Sequence, residues 1–167
     1  MAADSTVPDT YGDAMRWYHK EAEKGYAPAQ FLLGYMYEVG ERVPQDHAVA
    51  REWYAHAAAQ DETRALYRLA LLYHRGLGGD ADVTEAARLY GRAADRGHIA
   101  AQSILGYLYA VGVGVPRDDV AAYLWLSLAT DSGDSDAAAN LELLLPGMTP
   151  EQIDAGEERY RDWSPQR

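Results

Sequence analysis

The sequence predicts an all-α protein, an α/α superhelix in which antiparallel helix pairs stack in series. Residue types recur every 36 positions, with Ala29, Ala65, Ala101 and Ala137 in one column and Leu33, Leu69, Leu105 and Leu141 in another. A fixed period of roughly 20–50 residues marks units that bury their apolar faces only against their neighbours. Each unit carries two stretches of apolar residues at helical spacing, separated by a Gly or Pro break. The column Thr10, Asp46, Asp82 and Asp118 holds only residues suited to cap a helix N-terminus.

Residues 1–9 form a polar tail, and the array opens on a half repeat over 10–26, because no first helix fits before Thr10. Thr10 caps a helix bearing Ala14, Trp17, Tyr18 and Ala22 on one face, and a turn at Gly25 follows. The full repeats span 27–62, 63–98 and 99–134. Their first helices read Ala29, Leu33, Gly34, Tyr37, then Ala65, Leu69, Ala70, Tyr73, then Ala101, Leu105, Gly106, Tyr109. Offsets of four, five and eight share one helical face. The small residue at Gly34, Ala70 and Gly106 lets the neighbouring helix approach closely.

Gly40, Gly76 and Gly112 end these helices in the manner of a left-handed C-cap, and Pro44 and Pro116 prevent continuation. The second helices carry Ala50, Trp53, Tyr54, Ala57 and Ala58, then Ala86, Leu89, Tyr90, Ala93 and Ala94, then Ala122, Trp125, Leu126 and Ala129. Each forms a wide apolar stripe. Turns centred on Asp61, Gly97 and Gly133 lead to the next unit. In the closing helix pair, 135–163, Leu145 replaces the Tyr and Pro146-Gly147 cuts the first helix short. Thr149-Pro150-Glu151-Gln152 is a helix start, and the charged helix to about Trp163 gives the stack a wet outer end before the 164–167 tail.

Thirteen Tyr and four Trp against one Phe suit half-buried positions, since these rings carry a polar tip. Zero Cys removes disulfides, thiol nucleophiles and cysteine-metal sites. A net charge of −11 opposes nucleic acid or an anionic membrane as main partner and favours a basic one. The apolar run from Ile99 to Val115 contains Gln102 and Ser103 and falls in register with the repeats, so it reads as a helix plus loop and no membrane insertion is expected. Met1 to Asp9 lacks a signal-peptide core, which fits a cytoplasmic protein; a leader already removed would fit a periplasmic or secreted one.

The units Ala29-Gln30-Phe31-Leu32-Leu33-Gly34-Tyr35-Met36-Tyr37 and Val43-Pro44-Gln45-Asp46, with Trp53-Tyr54 and Ala57-Ala58, resemble the Sel-1-like repeat family. This is a tetratricopeptide-related α/α solenoid, and the resemblance, over roughly residues 10–145, implies a right-handed superhelix. It implies a scaffold or adaptor without enzymatic activity, bacterial in origin, that binds a protein or peptide. A cysteine-rich bacterial branch is linked to penicillin binding and β-lactam hydrolysis, and the absence of Cys separates this chain from it. A β-lactam or cell-wall hydrolase is the alternative reading. A third is a module of a longer chain, suggested by the opening half repeat.

In tetratricopeptide-like stacks the first helix of each pair lines the concave surface. If the Ala, Leu, small and Tyr columns form the core, the groove takes Phe31, Tyr67 and Ser103 in one row, Tyr35, Leu71 and Tyr107 in a second, and Glu38, His74 and Ala110 in a third. Aromatic rows in a concavity suit a peptide or partner helix. The competing reading is that tight curvature buries them as extra core.

No catalytic, cofactor or metal site is expected. There is no Gly-x-Ser-x-Gly elbow, phosphate-loop lysine motif or His-Glu-x-x-His helix. His19, His47, His56, His74 and His98 form no ligand-spaced pair and read as surface residues. Gly76-Leu77-Gly78-Gly79 occupies the repeat's own loop, and the acidic Asp131 to Asp136 segment occupies an inter-repeat turn without calcium-loop spacing.

Overall fold

The computed structural model describes residues 11–41 and 43–165 of the chain. The expected Thr10 cap, the 1–9 tail, Arg42 of the first loop and the last two residues of the 164–167 tail lie outside the described residues. The helices are α1 (Tyr11–Glu23), α2 (Ala27–Val39), α3 (His47–Ala58), α4 (Thr63–Arg75), α5 (Val83–Asp95), α6 (Ile99–Val111), α7 (Asp119–Asp131), α8 (Ser135–Leu144) and α9 (Pro150–Asp162). No strand occurs among the described residues. From α1 to α8 each helix packs chiefly against its neighbours in sequence, α6 also meets α8, and α9 docks on α7, so the chain is an α/α solenoid. Among the described residues no helix is long and apolar enough to cross a membrane.

Local chemistry starts and stops each helix. Asp46, Asp82 and Asp118 each accept two backbone N–H bonds at the starts of α3, α5 and α7. Gly40, Gly76 and Gly112 take φ of 73°, 65° and 73° as C-caps, a region that costs a residue with a Cβ. Thr149 and Gln152 form the full capping box of α9, and the 3-10 turn Leu145–Gly147 ends α8 early.

The core runs through the pairs. Leu33, Tyr54, Leu66, Leu72, Leu89, Tyr90, Leu108 and Leu126 are fully buried. A Cβ added at Gly34 would lie 2.6 Å from the Tyr54 ring, and one at Gly106 would lie 2.7 Å from Leu126, so these glycines set the helix-helix distance. The loop after α4 docks on the preceding pair: a Cβ at Gly78 would fall 2.3 Å from the His47 carbonyl oxygen.

Two expectations need correction. Tyr37, Tyr73 and Tyr109 are half-buried rather than core, because their carbonyls accept from the N–H of Asp46, Asp82 and Asp118 and this holds the residues at the loop margin. Their place inside is taken by the column one residue earlier, Met36, Leu72 and Leu108. Nor is His98 a simple surface residue: it is half-buried, and its Nδ1 accepts from the Ala101 N–H at 3.3 Å as the cap of α6.

Candidate functional site

The first helix of each pair, α2, α4, α6 and α8, presents the positions between the core columns. In the first full unit these positions are engaged by α4. The Phe31 ring lies 5.7 Å from the Tyr54 ring and under the Arg64 guanidinium at 4.3 Å. Arg68 sits over Tyr35 at 5.6 Å and reaches Glu38 at 3.2 Å. Glu38 also accepts the Tyr54 hydroxyl at 2.6 Å. Burial first, and then the Glu38 carboxylate, hold the Tyr54 phenol well above the usual range, so it stays a donor. Phe31, Tyr35 and Glu38 are half-buried beneath or beside arginines, so the first full unit's share of the three rows is not bare aromatic surface.

In the second unit, Tyr67 stacks on His98 with centroids 4.3 Å apart and meets Tyr90 at 6.1 Å. Burial lowers the His98 pKa. Ser103 is 7% exposed, so it sits at the buried edge of this face rather than on its open surface. Its hydroxyl donates to Asp134, the cap of α8, and that bond draws the short side chain into the contact between units.

Leu71, His74, Ser103 and Tyr107 come together on one cavity of about 330 Å³ between α4, α6 and α8, with Tyr90 at its base. Tyr107 is 47% exposed there. Ala110 of the third row lines a second cavity of about 240 Å³ that shares Tyr107 and ends at Leu143, which is 80% exposed. The predicted rows thus divide into an arginine-covered half around Glu38 and an open half around Tyr107.

Arg64, Arg68, Asp136 and Asn140 were not singled out from the sequence. Their columns read Pro28, Arg64, Ala100, Asp136 and Leu32, Arg68, Ile104, Asn140. A reading built on recurrence skips positions whose chemistry changes from unit to unit, and here those positions differentiate the units.

The Sel1 repeat family model matches residues 8–26, 27–62, 63–98 and 99–134. Among solved structures, the chain is similar to c5321, a protective antigen of uropathogenic Escherichia coli with an SLR fold, at 36% identity and a TM-score of 0.78. That match covers 89% of this chain and 32% of the antigen, so the chain spans about a third of its length. A Sel1 repeat protein from Oxalobacter formigenes is 29% identical, with a TM-score of 0.77, over 89% of this chain and 65% of that one. Cysteine rich protein B (hcpB) of Helicobacter pylori shares the fold at 20% identity and a TM-score of 0.59, over 83% of this chain and 100% of that one. No curated protein matches the chain. Sel1 repeat proteins are generally protein-interaction scaffolds. With consecutive blocks matched from residue 8 to residue 134 and helix pairs stacked as in these structures, the chain belongs to the Sel1 repeat family.

Proposed function

We propose that this chain is a bacterial, non-enzymatic scaffold that takes an extended peptide or a partner helix along the face of α2, α4, α6 and α8. The observation that carries this reading is the open half of that face. Tyr107 stands 47% exposed between two adjoining cavities that three successive first helices line. Large half-exposed aromatics beside apolar pockets are what binding surfaces use to anchor a partner. The net charge of −11 favours a partner of basic net charge.

The test is capture from the source cell with wild type and with Tyr35→Ser plus Tyr107→Ser. Tyr107 is exposed and Tyr35 is half-buried against the core, so helical content should hold and melting should fall modestly, through Tyr35, while capture is lost. Equal capture by both proteins would sink the groove. Purified protein should leave a chromogenic β-lactam intact, and turnover above buffer would overturn the non-enzymatic reading.

A further inference from the structure

Successive units do not treat the same tyrosine alike. In the first full unit the Tyr54 hydroxyl donates to Glu38, and Arg68 from the following unit holds that carboxylate from the other side. Thirty-six positions on, Tyr54 becomes Tyr90, Glu38 becomes His74 and Arg68 becomes Ile104. The tyrosine is kept and both of its partners are replaced. Tyr90 is 0% exposed, and its hydroxyl has no hydrogen-bond partner among the described residues. A buried polar group left in this way is normally satisfied by something.

Tyr90 and His74 line the same 330 Å³ cavity, so the register that aims Tyr54 at Glu38 aims Tyr90 toward that space. Arg75, from the last turn of α4, lines it too, and its charge is felt at the Tyr90 phenol. In the third unit Leu126 occupies the tyrosine's place, so among the full units the arrangement occurs only here.

We propose that the cavity at Tyr90 is a carboxylate subsite, taking a Glu or Asp side chain from the bound segment in the place Glu38 fills one unit earlier. The His74 ring, which packs edge-on against Tyr90, turns aside to uncover the hydroxyl, which donates to the incoming carboxylate while Arg75 supplies the positive charge. Charge-assisted bonds of this kind are about twice as strong as neutral ones. On the other wall α8 contributes Asp136 and Asn140. Their oxygens accept main-chain N–H groups of the segment, and the Asp136 charge confines the acidic group to the Tyr90 end. A basic partner with one acidic side chain at this register satisfies both the local chemistry and the overall charge.

This subsite rests on the groove reading above, and its test is separate from partner capture. The full chain, isotopically labelled, is titrated by NMR with N-acetylglutamate amide, N-acetylglutamine amide and N-acetylalanine. Only the first presents a side-chain carboxylate without a terminal one. Saturable shifts at Ser103 and Tyr107 are expected from the glutamate probe alone, and Tyr90→Phe should weaken them about tenfold or more. Equal response to the glutamine probe, response to N-acetylalanine alone, or no response would each overturn the subsite.

A second variant guards against a folding artefact. His74→Glu with Ile104→Arg rebuilds the Glu38 and Arg68 arrangement around Tyr90, and should raise the melting temperature while abolishing the probe response. A response unchanged in that variant places the probe elsewhere and also overturns the proposal. Partner capture that needs Tyr107 in a chain blind to the glutamate probe refutes the subsite alone. Probe binding without Tyr107-dependent capture supports the subsite and refutes the groove.

Discussion

Glycine inside a helix ordinarily costs about 1 kcal/mol against alanine, yet Gly34 and Gly106 both sit within first helices. Contact with the partner helix outweighs that cost, since a methyl on Gly34 would lie 2.6 Å from the Tyr54 ring. Gly34→Ala is therefore expected to lower stability by about 1–3 kcal/mol in urea unfolding, against the sign of helix propensity. An unchanged or raised stability would show that Tyr54 yields without strain. His98 carries a second effect at this scale. Burial lowers its pKa from 6.5, and its neutral Nδ1 accepts the α6 N–H of Ala101. The unfolded chain then binds the proton first, so stability is full above the unfolded value and falls as pH drops through it. His98→Asn keeps a capping acceptor and should flatten the loss of melting temperature on acidification; an identical slope in the variant would assign that loss to another group.

At the scale of the element, the helices are joined by side chains that reach the end of the preceding one. Gln30 donates to the Ala22 carbonyl at 3.0 Å and Gln102 to the Ala94 carbonyl at 3.1 Å. The same column holds Leu66, and there the Ala58 carbonyl accepts from Arg92 instead, at 2.8 Å. Position 128, the register equivalent of Arg92, is Leu128, so without Gln102 no side chain reaches the Ala94 carbonyl, which keeps the turn bond from the Gly97 N–H at 2.9 Å. Gln102→Leu should destabilise by about 0.5–1.5 kcal/mol, the net worth of one hydrogen bond at a carbonyl that keeps its Gly97 partner, and adding Leu128→Arg should recover part of it. A neutral single variant would mean that the end of α5 reorganises freely. These bonds also mark what sequence could and could not tell. The pairs, the Asp caps, the C-cap glycines and the small-residue column were legible because each repeats with the same job. The Gln30, Leu66, Gln102 column, the arginines over Phe31 and Tyr35, and the burial of Ser103 were not, because each depends on a partner in another unit that changes along the array. The groove was half legible: its positions follow from the period, but whether a ring is covered depends on which side chain the next helix sends across.

The molecule as a whole is a line of pairs without a closed centre, and stability along such a line depends on having neighbours on both sides. The largest core cluster spans α3 to α7, while Ala22, Ala29, Leu33 and Met36 form a separate group at one end and Ala137, Leu144 and Met148 belong to another at the other. Native-state hydrogen exchange should therefore find the slowest amides in α4 to α6 and earlier opening in α1 and α8. Uniform protection across the chain would argue instead for one all-or-none unit. The clasp on Glu38 carries a last consequence. It is closed by one hand from its own module and one from the next, since Tyr54 and Arg68 lie on opposite sides of a boundary. The modules are therefore not interchangeable beads: exchanging the second and third would bring Ile104 opposite Glu38, leaving a carboxylate held on one side only, so evolution can lengthen or reshuffle this array only at joints where no such handshake crosses.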